Sequence, residues 1–133
     1  MSKEQQKAIV EIAVRYLLTS HGLRSLAPTE QGYIGHYGGD MVHRDGAYHQ
    51  GTVWGWFIGP FISAHLRVYQ NPILAKSFLL PLINQLSDFG LGNIGEIFDG
   101  DAPYTPRGCI AQAWSIAEVN RVWDEIAQAE QKN

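Results

Sequence analysis

The stretch GNIGEIFDGDAPYTPRGCIAQAWS, residues 92–115, places one glutamate, two aspartates and one arginine among glycines, prolines and aromatics. Before about Ile110 it has neither a helical nor a strand period. Glu96 sits between Gly95 and Ile97, with Phe98 next. A carboxylate in such apolar company is costly unless it is paired, hydrogen-bonded or used. Asp99 and Asp101 flank Gly100, and Arg107 can pair with either: the residues read as a turn held by a structural salt bridge or as part of a ligand wall. The chemistry that suits carboxylates beside rings is work on glycosides. Aromatics stack on sugar faces, carboxylates and amides bond hydroxyls, and a carboxylate deprotonates the attacking water. Such work needs two carboxyl groups, roughly 6.5–9.5 Å apart when the reaction inverts the anomeric centre.

A second irregular segment, LRSLAPTEQGYIGHYGGDMVHRDGAYHQG (23–51), interleaves Tyr33, Tyr37, Tyr48, His36, His43 and His49 with glycines, which let backbone approach a ligand closely. A segment of this length without period is functional more often than filler. His49, between Tyr48 and Gln50, can hydrogen-bond a neutral polar ligand or simply fix the loop. The five histidines, at positions 21, 36, 43, 49 and 65, match no compact metal motif, so no metal site is expected. There is no G-x-S-x-G elbow, and the glycines around Gly90, Gly92 and Gly95 form neither a phosphate-binding loop nor a dinucleotide fingerprint. No cofactor is expected. Cys109 reads as a small buried residue at the start of the last helix.

The elements that must position these residues are helical. A first helix is expected over Lys3–Thr19, with Ile9, Ile12, Ala13, Tyr16 and Leu17 as its apolar stripe and Gly22 as a left-handed cap beyond it. A second is expected over Thr52–Tyr69, capped by Thr52 and apolar almost all round. A third runs from the Asn71 cap and Pro72 through Ser87, bent or split at Pro81. A fourth spans Ile110–Gln128, with a stripe of Ala113, Trp114, Ile116, Ala117, Val119, Asn120 and Trp123, and a frayed tail AEQKN. No alternating strand pattern of useful length occurs. The expected fold is all-α: one domain, 1–133, of about four long helices with two long ordered loops.

Composition bounds the rest. The chain of 133 residues is 45% apolar with a net charge of −3, which fits a globular domain with a real core. No basic block points to nucleic acid. No apolar run is long enough to span a bilayer. A lone cysteine excludes an internal disulfide, and MSKEQQKAIVEIAV has no signal-peptide pattern, so a cytoplasmic setting is expected. Four tryptophans and six tyrosines serve either a packed core or platforms for a flat hydroxylated ligand.

GLRSLAP (22–28), YIGHYGGD (33–40), RDGAYHQGTVWGW (44–56), IGEIFDGDAP (94–103) and RGCIAQAWSIAEV (107–119) resemble, in that order, the C-terminal end of the glycogen debranching enzymes, the amylo-α-1,6-glucosidases of bacterial and archaeal type. The resemblance spans nearly all of residues 9–124. It implies part of an (α/α)₆ toroid. It also implies that Glu96 is the general base of an inverting hydrolysis of α-1,6 branch points. Tyr48, His49, Gln50 and Trp54 would line the glucose pocket, and Asp99, Arg107, Gln112 and Trp114 would support its second wall. Gly55 stands where the family often has proline. The family enzymes are several times longer, and their general acid belongs to a preceding part. The chain is therefore expected to be inactive alone, to bind α-glucan such as glycogen or limit dextrin, and either to self-associate or to dock on the rest of the toroid. With those neighbours absent, the second helix would expose Trp, Phe and Ile. The other expectation is a glucan-binding module or remnant without turnover.

Overall fold

The structure, a computed structural model, describes residues 1–132. The chain opens with α1 (Lys3–Tyr16). The Ser2 hydroxyl accepts from the Gln5 amide while the Gln5 side chain accepts from the Ser2 amide, a reciprocal box that satisfies two orphan donors of the first turn. Then follow β1 (Leu18–Thr19), β2 (Gly22–Arg24), the short α2 (Met41–Ala47), β3 (Val53–Trp54), a 3-10 turn at Gly55–Phe57 and α3 (Ile58–Tyr69). The second half contains α4 (Pro72–Asn84), a 3-10 turn at Gln85–Ser87, β4 (Ile97–Phe98), β5 (Pro106–Arg107) and α5 (Ala113–Glu130).

The expectation of an all-α fold, a partial toroid of about four helices, is overturned. Five strands form one antiparallel sheet in the order β1-β2-β3-β4-β5, so the architecture is mixed. The physical reason that this sheet left no trace in the pattern is its strand length. Each strand has two or three residues, too few to display a period of two. The ladder is nonetheless specific. Val53 pairs with Phe98 and Trp54 with Ile97; on the far side Ile97 pairs with Arg107 and Phe98 with Pro106. Ile97 and Phe98 have no exposed surface.

The sheet also corrects three helix ends. The first helix stops at Tyr16 because Leu18 and Thr19 turn back onto β2. Gly22 is not a helix cap but a strand residue with φ +131°, and a side chain there would strike the Trp54 carbonyl. The second expected helix begins at Ile58, and Thr52 does not cap it: its hydroxyl donates to the Tyr48 carbonyl. The fourth begins at Ala113 and continues through Glu130; Asn133, the end of the expected frayed tail, lies outside the described residues. The third is closest to expectation: Asn71 accepts from the Leu74 amide at 3.0 Å, Pro72 opens the helix, and the helix runs through Pro81 unbroken.

α3 is the centre of the core. Ile58, Phe61, Ile62 and Leu66 are buried against α1, α4 and α5, together with Val10, Ala75, Leu79, Leu82, Val119, Val122 and Ile126. Each large apolar side chain buried this way contributes about 1.5–3 kcal/mol. The apolar surface left open is therefore not that of α3. It includes Ile9 and Ile12 on α1, where Val10 faces the core, Met41 and Val42 on α2, Ile73 and Leu80 on α4, and Trp114 and Trp123 on α5. The expected stripes are right at Ala13, Leu17, Ile116 and Val119, which meet the core, and wrong at Ile9, Ile12, Trp114 and Trp123; the buried line on α5 is Ser115, Val119, Val122 and Ile126.

Candidate active site

β4 carries a carboxylate at each end. Glu96 precedes it and Asp99 follows it. Beyond the β4–β5 ladder, and one residue out of its register, the Glu96 amide donates to the Cys109 carbonyl at 3.0 Å. The Cys109 amide donates back to Glu96 Oε2 at 2.8 Å. Gly108, with φ +67°, turns the chain between β5 and this amide, and a side chain there would strike Glu96 Oε2. From the other loop, the Tyr48 hydroxyl donates to Glu96 Oε1. Glu96 is half-buried.

Tyr48 is itself fixed. It ends α2, whose first turn is capped by Asp40 accepting from the His43 amide at 3.0 Å. Its carbonyl accepts from Thr52 Oγ1 at 2.6 Å, and that hydroxyl oxygen accepts from Trp54 Nε1 at 3.1 Å. One threonine thus ties the tyrosine backbone to the indole. The rings cluster: Tyr48 meets Trp54 edge-on at 5.0 Å between centroids, His49 stacks on Trp54 at 5.3 Å and 7°, and Tyr37 lies 6.0 Å from Tyr48. Trp54 is buried and His49 is exposed. The surface offered beside Glu96 is therefore that of Tyr48 and His49, with the indole as their support.

Asp99 lives in a different field. It is buried and accepts from Arg107 through both nitrogens, Nε at 3.2 Å and Nη2 at 2.9 Å. It also accepts from the Tyr37 amide at 2.9 Å and contacts His36 Nδ1 at 3.3 Å. Asp101 accepts from the Tyr33 hydroxyl at 2.8 Å, and Arg24 Nε donates to the Gly100 carbonyl at 2.8 Å. These bonds pin the loop 23–51 onto the loop 94–107.

The electrostatics follow. Burial pushes the Glu96 carboxyl up, but hydrogen bonds from Tyr48 and from the amide and thiol of Cys109 outweigh it, leaving the carboxyl below its ordinary value. Burial first, then the hydrogen bond to Glu96 and the Glu96 charge, drive the Tyr48 phenol well above its ordinary value. Glu96 also raises the Cys109 thiol. For Asp99, burial again pushes up, and Arg107, the Tyr37 amide and His36 together win, so it too is held down. The Tyr33 phenol is pushed up to about 12 by burial and by Asp101.

The structure thus brings Glu96, Tyr48, His49 and Trp54 together and pairs Asp99 with Arg107. Gln50 is exposed, its carbonyl accepting from the Ile34 amide at 2.6 Å. Gln112 stands at the N-cap of α5 and its amide donates to the Ile94 carbonyl at 2.9 Å. Trp114 packs edge-on against Trp56 at 5.6 Å. Cys109 is exposed rather than buried and precedes α5. The sequence reading missed the Cys109 amide as a partner of Glu96 and Gly108 as the turn that aims it, and because β5 shows no period, nothing in the residues marked either. Among the described residues no group of three or more His, Cys, Asp or Glu is arranged to hold a metal ion. No helix among them is long and apolar enough to cross a membrane. Two clefts of about 610 and 670 Å³ lie against α1 and include neither Tyr48 nor Glu96.

A strand-end carboxylate held by neutral donors beside stacked rings is the kind of site that carbohydrate-processing proteins build. The family model described as amylo-alpha-1,6-glucosidase matches residues 1–121, and the chain belongs to that family. Both segments that form the site, 44–56 and 94–112, lie inside the matched region.

Proposed function

We propose that this chain supplies the general base and part of the glucose pocket for inverting hydrolysis of α-1,6-glucosidic branch points in an α-glucan. The observation that carries the reading is the double tether of Glu96. Its two oxygens accept one bond each, from Tyr48 and from the Cys109 amide. A carboxylate has about four acceptor positions; the Cys109 thiol takes a third, so one remains for a water. The tethers favour the anion, so Glu96 is an ionised base near neutral pH and not a proton donor. The water oxygen attacks the anomeric carbon, the bond to the leaving O6 breaks, and Glu96 takes the water proton. Tyr48 and His49 give the sugar a ring face and hydrogen-bonding edges.

The leaving oxygen needs a proton from a second carboxyl. Asp99 is unsuited to supply it, because Arg107 holds it ionised. The acid comes from outside residues 1–133, and without it these residues bind glucan but do not turn it over. The test mixes the chain with the preceding part of a family enzyme and measures glucose released from a branched dextrin. Release by the mixture, absence of release by the chain alone, and β-glucose as the first anomer seen by NMR support the reading. Turnover by the chain alone at a rate that Glu96→Gln leaves intact overturns it. Isomaltose binding with no turnover in any mixture replaces it with a glucan-binding module.

A further inference from the structure

Residues 34–37 belong to no helix or strand, yet hydrogen bonds tie their backbone down. The Ile34 amide donates to the Gln50 carbonyl at 2.6 Å, the Gly35 carbonyl accepts from the Gly100 amide at 2.7 Å, and the Tyr37 amide donates to Asp99 Oδ1 at 2.9 Å. A side chain at Gly35 would strike the Asp101 carboxylate, so the glycine permits this close approach. None of these bonds needs a tyrosine, since any residue but proline supplies the amide. What the Tyr37 ring does is meet Tyr48, at 6.0 Å between centroids and 48° between planes, a tilted aromatic pair. The Tyr48 phenol is driven up first by burial and by Glu96, and Tyr37 adds to the rise, so the two phenols lie near each other.

We infer that Tyr37 is a positioning residue of the Glu96 site: its ring, carried on backbone locked to Asp99, holds the Tyr48 hydroxyl on the Glu96 carboxylate. A tyrosine side chain turns among staggered χ1 wells, and a Tyr48 ring in another well takes its hydroxyl away from Glu96 Oε1. Trp54 and His49 pack on the ring from Tyr48's own segment, and Tyr37 packs on it from a separate one. That separate segment is fastened to the far end of β4, three residues beyond Glu96. The strand that carries the carboxylate thus also sets the ring that aims its tether. The titratable groups that face Glu96 are Tyr48, at the end of α2, and Cys109, after β5. Both are held up, so both are neutral near neutral pH, and the tether acts through hydrogen bonding alone. The inference rests on the reading that Glu96 is the base, while the ring contact stands without it.

The test is an NMR titration of the Glu96 carboxyl carbon in the full chain, which needs no substrate. Tyr37→Leu keeps the amide that Asp99 accepts from and removes the ring. The Glu96 midpoint then rises by about 0.5 pH unit, against about 1 for Tyr48→Phe. Tyr37→Phe keeps the ring and restores the wild-type midpoint. With Tyr48→Phe already in place, Tyr37→Leu adds nothing, because its effect passes through Tyr48. A midpoint that stays put in Tyr37→Leu overturns the inference, as does one that rises equally with Tyr48 already replaced. A second measurement needs no variant: χ1 couplings of Tyr48 in the wild type report one rotamer, and couplings averaged over several overturn the inference. The catalytic reading is separable. If Tyr37→Leu moves the midpoint but the mixture with the preceding part releases no glucose, the positioning stands and the base falls. If release depends on Glu96 and the midpoint ignores Tyr37→Leu, the base stands and the positioning falls.

Discussion

Glu96 and Asp99 stand at the two ends of the same two-residue strand, and both are held below their ordinary pKa. The means differ. Asp99 is buried and faces a guanidinium, a backbone amide and an imidazole. Glu96 is half-buried and faces a phenol, an amide and a thiol, all neutral. A carboxylate paired with arginine is neutralised locally and spends its acceptor positions on structure. A carboxylate tethered by neutral donors keeps its full charge and an open acceptor position. One strand thus separates an architectural carboxylate from one available to chemistry, and the discriminating feature is the charge of the partners.

The strongest way to break this comparison is to neutralise each carboxylate in turn. Glu96→Gln is nearly isosteric, and its amide can still satisfy Tyr48 and Cys109 by turning its carbonyl toward the amide and its nitrogen toward the phenol oxygen. We expect the reconstituted enzyme to lose activity by about 10²–10⁴-fold, the usual worth of a general base, while the midpoint of urea unfolding moves by less than about 1 kcal/mol. Asp99→Asn has the converse profile. It leaves Arg107 without its anion in a site that is largely closed, and breaking such a pair costs about 3 kcal/mol. Denaturant unfolding of the isolated chain measures this directly. If Glu96→Gln unfolds the chain and Asp99→Asn does not, the roles have been assigned to the wrong ends of the strand.

Acid titration sharpens the same contrast. Asp99 has a folded-state pKa below its ordinary value of 3.8, so its contribution to stability is complete above that value. It is lost as the pH falls further, through the depressed folded-state value. Stability of the wild type, followed by denaturant midpoint, therefore drops below pH 3.8, and the Asp99→Asn variant lacks this part of the drop.

The carboxylates were legible in the sequence because Glu96 is conspicuous among Ile, Gly and Phe, and because Arg107 is the one cation within the stretch that holds Asp99 and Asp101. The helices α3 and α4 were legible for the same reason that they fold: long apolar runs with an Asn71–Pro72 start. The sheet was not. Two residues such as Val53 and Trp54 carry no period, and their pairing with Ile97 and Phe98 joins segments more than forty positions apart. The helix faces were misread where apolar residues outnumber the space to bury them. Ile9, Ile12 and Trp114 satisfy a helical stripe as well as Val10 and Val122 do, and only packing decides which turn inward. The tether on Glu96 was invisible for a further reason: it is a backbone amide, and side-chain type says nothing about where an amide points.

Tyr48→Phe acts on one of the two tethers. It removes the phenolic donor and leaves the ring against Trp54, so packing is kept. With a bond to its anion gone, the Glu96 carboxyl rises, and the acid limb of the pH–rate profile in the reconstituted enzyme moves to higher pH. The rate at neutral pH falls less than in Glu96→Gln, since the base remains. An acid limb that stays in place would mean that the phenol does not face the carboxylate in the working enzyme.

Gly108 and Cys109 test the other tether, and here the smallest change teaches the most. Cys109→Ala deletes an exposed thiol but keeps the amide that donates to Glu96 Oε2 at 2.8 Å. Its effect on unfolding is expected within about 0.5 kcal/mol, and its effect on the acid limb is a small upward move, because the thiol is one of the donors that hold the carboxyl down. Gly108→Ala keeps the thiol and disturbs the amide. It forces a side chain into a backbone with φ +67° and into the space of Glu96 Oε2, at a cost of about 1–2 kcal/mol. If the backbone is the tether, Gly108→Ala lowers the rate and shifts the limb more than Cys109→Ala does. The reverse order would make the thiol the partner that matters, and Glu96 would then depend on an oxidisable side chain instead of on the turn that β5 builds.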